Sequence, residues 1–235
     1  MEAYLKQKKS IGRCRQSDPE VEFHRKFLPG YAESSNSVLS QPLNVLEATS
    51  FVPRRLIDVE EACRHPERVT PEDAVHFYRW DWLLNRERYT PEALSSVLPS
   101  GTCLLTQDLS MFRDMYPDEI RWNWHRAHLN AERMIRCGFR HIPSLCWAEE
   151  DTLDYCFDFI QPGGTVAVST VGIMRDAWGS ILFGMGMERA IQVLRPSCVI
   201  VYGAMPDFDF KDMTVQCYPN TSYQWTGTYM HKEVI

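Results

Sequence analysis

Short apolar runs alternate with helical stripes from about residue 70 onward, and that alternation admits few folds. TCLLTQ (Thr102–Gln107), HIPSLCW (His141–Trp147), TVAVSTVG (Thr165–Gly172) and CVIVYG (Cys198–Gly203) each read as a strand, with MTVQCY (Met213–Tyr218) as the last. AVHFYRW (Ala74–Trp80) alternates and is rich in β-forming residues, so a strand opens the series. Between these runs lie helical segments. EALSSVL follows a Thr-Pro-Glu start at Thr90, and a long helix begins near Pro117-Asp118-Glu119 and stops at Cys137-Gly138. EEDTLDYCFDFI (Glu149–Ile160) and the segment from about Trp178 to Leu194 supply two more, Pro196 ending the second. Along the long helix Ile120, Trp124, Ala127, Ala131, Met134 and Ile135 recur at spacings of three and four.

This order predicts an α/β fold with a mostly parallel sheet and alternating helices. Right-handed crossovers then bring the carboxyl ends of the strands to one face. A barrel-like arrangement, complete or partial, and an open doubly wound sheet both satisfy the pattern. No Gly-rich phosphate loop follows any strand, which favours the barrel-like form over a dinucleotide fold. Residues 1–50 read as an irregular N-terminal arm with loops, and 51–235 as a single α/β domain. The first part is basic at KQKK and RCR and then rich in Ser, Asn and Pro.

Composition narrows the functional classes. A net charge of −6 argues against broad attraction to a nucleic-acid backbone. No window approaches the run of about 20 apolar residues that spans a bilayer, and MEAYLKQKKS lacks an apolar signal core. The eight cysteines form no CxxC pair, and several sit in apolar runs as small hydrophobes. The expectation is a cytoplasmic protein with reduced thiols and no membrane partner.

In order along the chain stand VHFYRWDWLLNRERYTPEALSSVL, LLTQDLSMFRDMYPDEIRWNWHRAH, GFRHIPSLCW, TLDYCFDFIQPGGTVAVSTVG, the run from Phe183 to Pro196, and VIVYG. Together, over about residues 75–206, they resemble the uncharacterised bacterial and phage proteins grouped as domain of unknown function 4417. The resemblance implies a phage or mobile-element setting and a single α/β domain, and it supplies no activity. That family's pattern carries an aspartate pair in its first motif and Pro-Asp-Phe-Ser in its second. The matching positions here read Trp80-Asp81 and Gln107-Asp108-Leu109-Ser110, so one carboxylate of the pair is missing.

Ligands of parallel α/β proteins bind where loops leave the strand carboxyl ends. The candidates therefore come from those loops. Asp81 and Asp108 follow successive strands and are the catalytic candidates, dividing acid and base roles or holding Mg²⁺. Each Asp would equally serve as a cap for the loop or helix after it. Ser110 and Arg113 offer a hydroxyl and a guanidinium to an anion, and Ser169 and Thr170 a small polar loop. Trp147 and Tyr202 offer flat surfaces for a base or sugar, or else close the core. His125 and His128 lack the spacing of a metal site, so no metal ligand is assigned. Gly184 and Gly186 fall inside a helix and read as close packing. The leading expectation is a phosphate-bearing small molecule or nucleotide, bound and in one version hydrolysed, acting in counter-defence. A nucleic-acid-associated replication or transfer module using the basic arm, Arg54, Arg55 and the Arg-rich helix near Trp122 is one alternative. A protein–protein inhibitor presenting an aromatic patch near YQWTGTYM is the other.

Overall fold

The chain's β-rich runs become parallel strands, each short because its neighbours are helices and polar turns. The computed structural model describes residues 42–173 and 177–220; KQKK, RCR and YQWTGTYM lie outside the described residues. The strands are β1 (Arg55–Asp58), β2 (Asp73–His76), β3 (Cys103–Leu105), β4 (Arg140–Ile142), β5 (Thr165–Ser169), β6 (Cys198–Tyr202) and β7 (Thr214–Tyr218). Helices α1 (Val59–Arg64), α2 (Asp81–Leu84), α3 (Pro91–Ser95), α4 (Pro117–Arg136) and α5 (Ala177–Leu194) alternate with them. The order is β1-β2-β3-β4 in one sheet and β5-β6-β7 in a second, with every pairing parallel.

One parallel bridge joins the sheets. Ser144, just past β4, pairs with Ala167 of β5, Leu145 donates to the Ala167 carbonyl at 2.7 Å, and Ala167 donates to Pro143 at 2.8 Å. The resulting surface curls. In a flat sheet β2 and β6 would lie roughly 19 Å apart, at about 4.8 Å per strand. Instead the His76 and Tyr202 rings stand 4.4 Å apart and those of Tyr78 and Tyr202 4.7 Å. The Tyr218 hydroxyl of β7 donates to the carbonyl of Pro53, which precedes β1. No ladder joins β7 to β1 among the described residues, so the curled surface is not a closed barrel, as a partial barrel or a strongly curled open sheet would have it.

Strand alternation sorts the core into an inside and an outside. Ala74, Cys103, Leu105, Ile142, Ala167, Ile200, Tyr202 and Tyr218 pack together with Leu56 inside the curl. Val75, Phe77 and Leu104 face outward to α1, α3 and α4. Val166, Val168, Val199 and Val201 face α5 through Phe183, Met187, Ala190 and Leu194.

Local signals set the helix ends. The Tyr116 amide donates to the Glu119 carboxylate at 2.9 Å at the start of α4. At its end Phe139 N donates to Met134 O and Gly138 N to Ile135 O, a Schellman cap. It requires the left-handed φ of +88° at Gly138. The expected helix over Glu149–Ile160 is instead a 3-10 turn, Glu150–Asp154, followed by irregular turns. Cys156 and Phe157 go into the α5 side of the core while Tyr155 and Phe159 turn to Trp124, which one helical stripe cannot satisfy. Strand β1 and helix α1 precede the point where regular periodicity begins. Ile135, on the expected apolar stripe of α4, is 42% exposed. On the arm side of residue 50, Leu46 is buried and exchanges backbone hydrogen bonds with Phe159 and Gln161, and Thr165 donates to Thr49.

The two helical glycines have different environments. A Cβ on Gly186 would fall 2.0–2.4 Å from the Trp147 ring, whereas one on Gly184 would meet only Phe208 at 3.9 Å. Gly186→Ala should therefore cost about 1–3 kcal/mol. Gly184→Ala should be neutral or gain up to about 1 kcal/mol from helix propensity. Urea unfolding of both variants checks this; equal effects would contradict it.

Candidate functional site

The carboxyl ends of β1 to β6 deliver a cluster of buried polar and aromatic groups to one mouth of the curl. Asp58 ends β1 and caps α1, accepting from the Glu60 and Glu61 amides. Its carboxylate also takes two bonds from Arg79, Nε to Oδ2 at 2.6 Å and Nη2 to Oδ1 at 2.8 Å. Burial pushes the Asp58 carboxyl up, but the Arg79 guanidinium outweighs it and holds the group below its usual range.

His76 and Tyr78 point the same way because they are two residues apart on an extended chain. The His76 Nδ1 accepts from the Tyr78 amide at 3.3 Å, which assigns the ring proton to Nε2. That Nε2 is buried with no hydrogen-bond partner among the described residues. Burial lowers the imidazole to about 4, Asp58 opposing and Arg79 reinforcing, so the ring is neutral at pH 7. The Tyr78 hydroxyl meets Ser144 Oγ at 2.9 Å. The Tyr202 hydroxyl donates to Asn220 Oδ1 at 3.0 Å.

Asp108 and Asp81 are brought close enough to feel each other's charge. Burial first, then the Asp81 carboxylate, raises Asp108 to about 7, against a hydrogen bond from the Cys146 thiol. Near neutrality Asp108 is thus divided between acid and carboxylate, the condition for a proton donor and acceptor. Cys146 is driven far up by burial and then by Asp108, so it is a neutral thiol and not a thiolate nucleophile. Asp81 is fully buried and accepts from Ser110, whose amide lies at 3.0 and 3.1 Å and whose hydroxyl lies at 2.9 Å. Asn123 of α4 donates to the Ser110 carbonyl at 2.7 Å. Arg126 joins Asn123 to Asn85. These bonds lock the loop after β2 to the loop after β3.

The other predicted residues fall around this cluster. Ser110 lies beside Asp81, and Arg113 is exposed on the same loop. Tyr202 lies inside, in the ring stack. Trp147 lies on the outer side, its Nε1 donating to the Leu182 carbonyl at 2.9 Å. The Thr170 hydroxyl donates to Ala204 O at 2.7 Å and its amide to Tyr202 O at 2.9 Å, while Ser169 Oγ accepts from Val171 N. Their polar groups are thus engaged in the turn rather than offered to an anion. Arg54 and Arg55 lie at the opposite strand ends, paired with Glu72 and Asp73.

Sequence reasoning missed Asp58, His76, Tyr78, Arg79, Ser144 and Cys146. The signal available was the period of two within AVHFYRW and HIPSLCW, which puts His76 with Tyr78 and Ser144 with Cys146 on one face. Beside Ser144 and Cys146 lies a cavity of about 40 Å³, also lined by Thr106, Gln107, Trp124 and His128. That is room for a few waters. No group of three or more His, Cys, Asp or Glu side chains suited to a metal occurs among the described residues. Asp81 and Asp108 are the pair to which a Mg²⁺ ion would have to bind, with water completing its shell. No described helix is long and apolar enough to cross a membrane, and the described cysteines are free thiols.

Comparison with known proteins places the chain in a family. Residues 35–219 match the family described as "Domain of unknown function (DUF4417)". The "Gene 1 protein" of Mycobacterium phage L5 is 30% identical over 175 residues, covering 74% of this chain and 76% of that protein. The "Gene 1 protein" of Mycobacterium phage D29 is 29% identical over 160 residues, 68% of this chain. The match spans 59% of the D29 protein's own length. No solved structure matches.

The raised Asp108 has a consequence for stability. The folded chain holds this proton to about 7 against an ordinary 3.8, so the group favours folding at low pH. Its ionisation becomes a penalty on folding as pH rises between those values. Asp108→Asn should unfold at higher denaturant than the parent at pH 8 and at nearly the same denaturant at pH 4. A gain independent of pH would show that Asp108 is not held protonated.

Proposed function

The chain belongs to the family described as a domain of unknown function, DUF4417, and is similar to two mycobacteriophage proteins; on that premise we propose that it binds a small nucleotide-type ligand at the mouth of its curled sheet. The observation that carries the reading is Asp108, a carboxyl poised near neutrality at the strand carboxyl ends and coupled to Asp81, Tyr78 and Cys146. The bound molecule exchanges a proton with Asp108. Turnover by hydrolysis would pass the proton of an attacking water to the same carboxylate. The rim supports a nucleotide, because Trp82 is 42% exposed with Arg86 stacked on it at 5.0 Å, and exposed Arg113 sits three residues from Ser110. The reading places the protein in the cytoplasm of an infected host, where binding would withdraw a nucleotide signal.

The test is mass spectrometry of small molecules released on denaturing the purified protein, followed by thermal shift with nucleotides with and without Mg²⁺. A recovered nucleotide, or stabilisation of about 2.7 kcal/mol at a hundredfold excess over Kd, supports the reading. Empty protein with no shift from any nucleotide overturns it. For a ligand that is turned over, Asp108→Asn should lower the rate by about 100-fold or more while changing affinity by less than about 10-fold.

A second reading rests on the same rim. Trp80, Trp82 and Tyr116, on the chain after β2 and β3, are 53%, 42% and 67% exposed, and bases of a single strand could stack on such rings. The net charge of −6 opposes it. Single-stranded DNA binding that weakens steeply with salt and is lost in Trp82→Ala would favour this reading; binding to free nucleotides alone would exclude it.

A further inference from the structure

The charge inventory of the mouth bears on which end of a ligand it accepts. Asp58, Asp81 and Asp108 bring carboxyls to it, and the Arg79 guanidinium among them is already held by both oxygens of Asp58. A phosphate driven inward would meet these carboxyls, with Arg79 already engaged. The His76 ring beside them is uncharged at neutral pH.

The floor does contain one unmet demand. The His76 Nε2–H is a fully buried donor without an acceptor among the described residues, and native proteins rarely leave such a group unpaired. Aromatic faces flank it, Tyr202 at 4.4 Å and Tyr78 at 5.4 Å between ring centroids. A neutral donor between aromatic rings complements a planar uncharged ring that carries a carbonyl or imine acceptor. It does not complement a phosphate dianion.

Building on the nucleotide reading above, we infer that the ligand enters base first, that His76 Nε2–H donates to an acceptor on the nucleobase edge, and that the phosphate stays at the rim near Arg113. His76 is then a specificity residue that reads the ring. His76 is buried and the Tyr202 ring packs over its imidazole, so a base reaches the Nε2–H when Tyr202 moves aside.

Calorimetric titration of the full chain with the four common nucleosides, their 5′-monophosphates, ribose 5-phosphate and inorganic phosphate tests this directly. At least one nucleoside should bind within about 10-fold of its monophosphate, and ribose 5-phosphate and inorganic phosphate should bind at least about 100-fold more weakly. His76→Phe keeps the stack and removes the donor, and should weaken nucleoside binding by about 10- to 100-fold. His76→Gln restores a donor and should recover most of that loss, with urea unfolding confirming that both variants are folded. Inorganic phosphate binding as tightly as the nucleotides would overturn the orientation. Unchanged affinity in folded His76→Phe would overturn the role of His76, leaving the nucleotide reading standing. Absence of binding by every probe would overturn both.

Discussion

Everything at the mouth depends on the backbone junction between β4 and β5. Leu145 and Ala167 exchange hydrogen bonds across it with Ala167 and Pro143, and the two parallel sheets become one curled surface. Parallel strands twist with a fixed hand, so continuing the sheet through this junction curves it back on itself. The curl brings β6 over β2, and Tyr202 against His76 and Tyr78. Separated, the sheets would leave these rings on surfaces with nothing to face. The junction also puts Ser144 opposite the Tyr78 hydroxyl and Cys146 opposite Asp108. The chemistry of the site is therefore a product of sheet continuity, not of any one motif.

Within that frame, two carboxyls show how environment assigns roles to the same group. Asp58 and Asp108 are both taken from water, which favours the neutral acid in each. Asp58 has a guanidinium on both oxygens and remains an anion, fixing the start of α1 and the chain after β2. Asp108 has a second carboxylate as its neighbour, and its proton is retained to about neutrality. The first is held as an anion by its partner, and the second has no such partner among the described residues. Asp81 contributes in another way, since it accepts from the Ser110 amide and hydroxyl and so ties two rim loops together.

The α/β order was legible because it rests on periodicity. The runs TCLLTQ, TVAVSTVG and CVIVYG are continuous apolar stretches flanked by turn residues, and each contains a strand of the fold. The end of α4 was legible for a local reason, since only glycine takes the φ of Gly138 at no steric cost. Where tertiary contacts dominate, the sequence misled. Glu149–Ile160 was expected as a helix, yet Cys156 and Phe157 pack into the α5 side of the core while Tyr155 and Phe159 turn to Trp124, and it folds as turns. Strand β1 went unseen because four residues with a mixed pattern gain their identity only from pairing with β2. Trp147 was expected near the ligand edge, but the notch at Gly186 takes its ring to the outer side.

By itself the sequence determined most of the strands, the long helices and the parallel class, because side-chain period and turn chemistry are local properties. It also supplied Asp81, Asp108 and Ser110 as neighbours of one edge. The tertiary structure decided that the sheet curls, that Asp108 is shadowed by Asp81, and that a neutral His76 sits unmet between two tyrosines. Those facts join residues far apart in the chain. Charge proximity, burial and ring stacking act through space, and no spacing along the sequence encodes them.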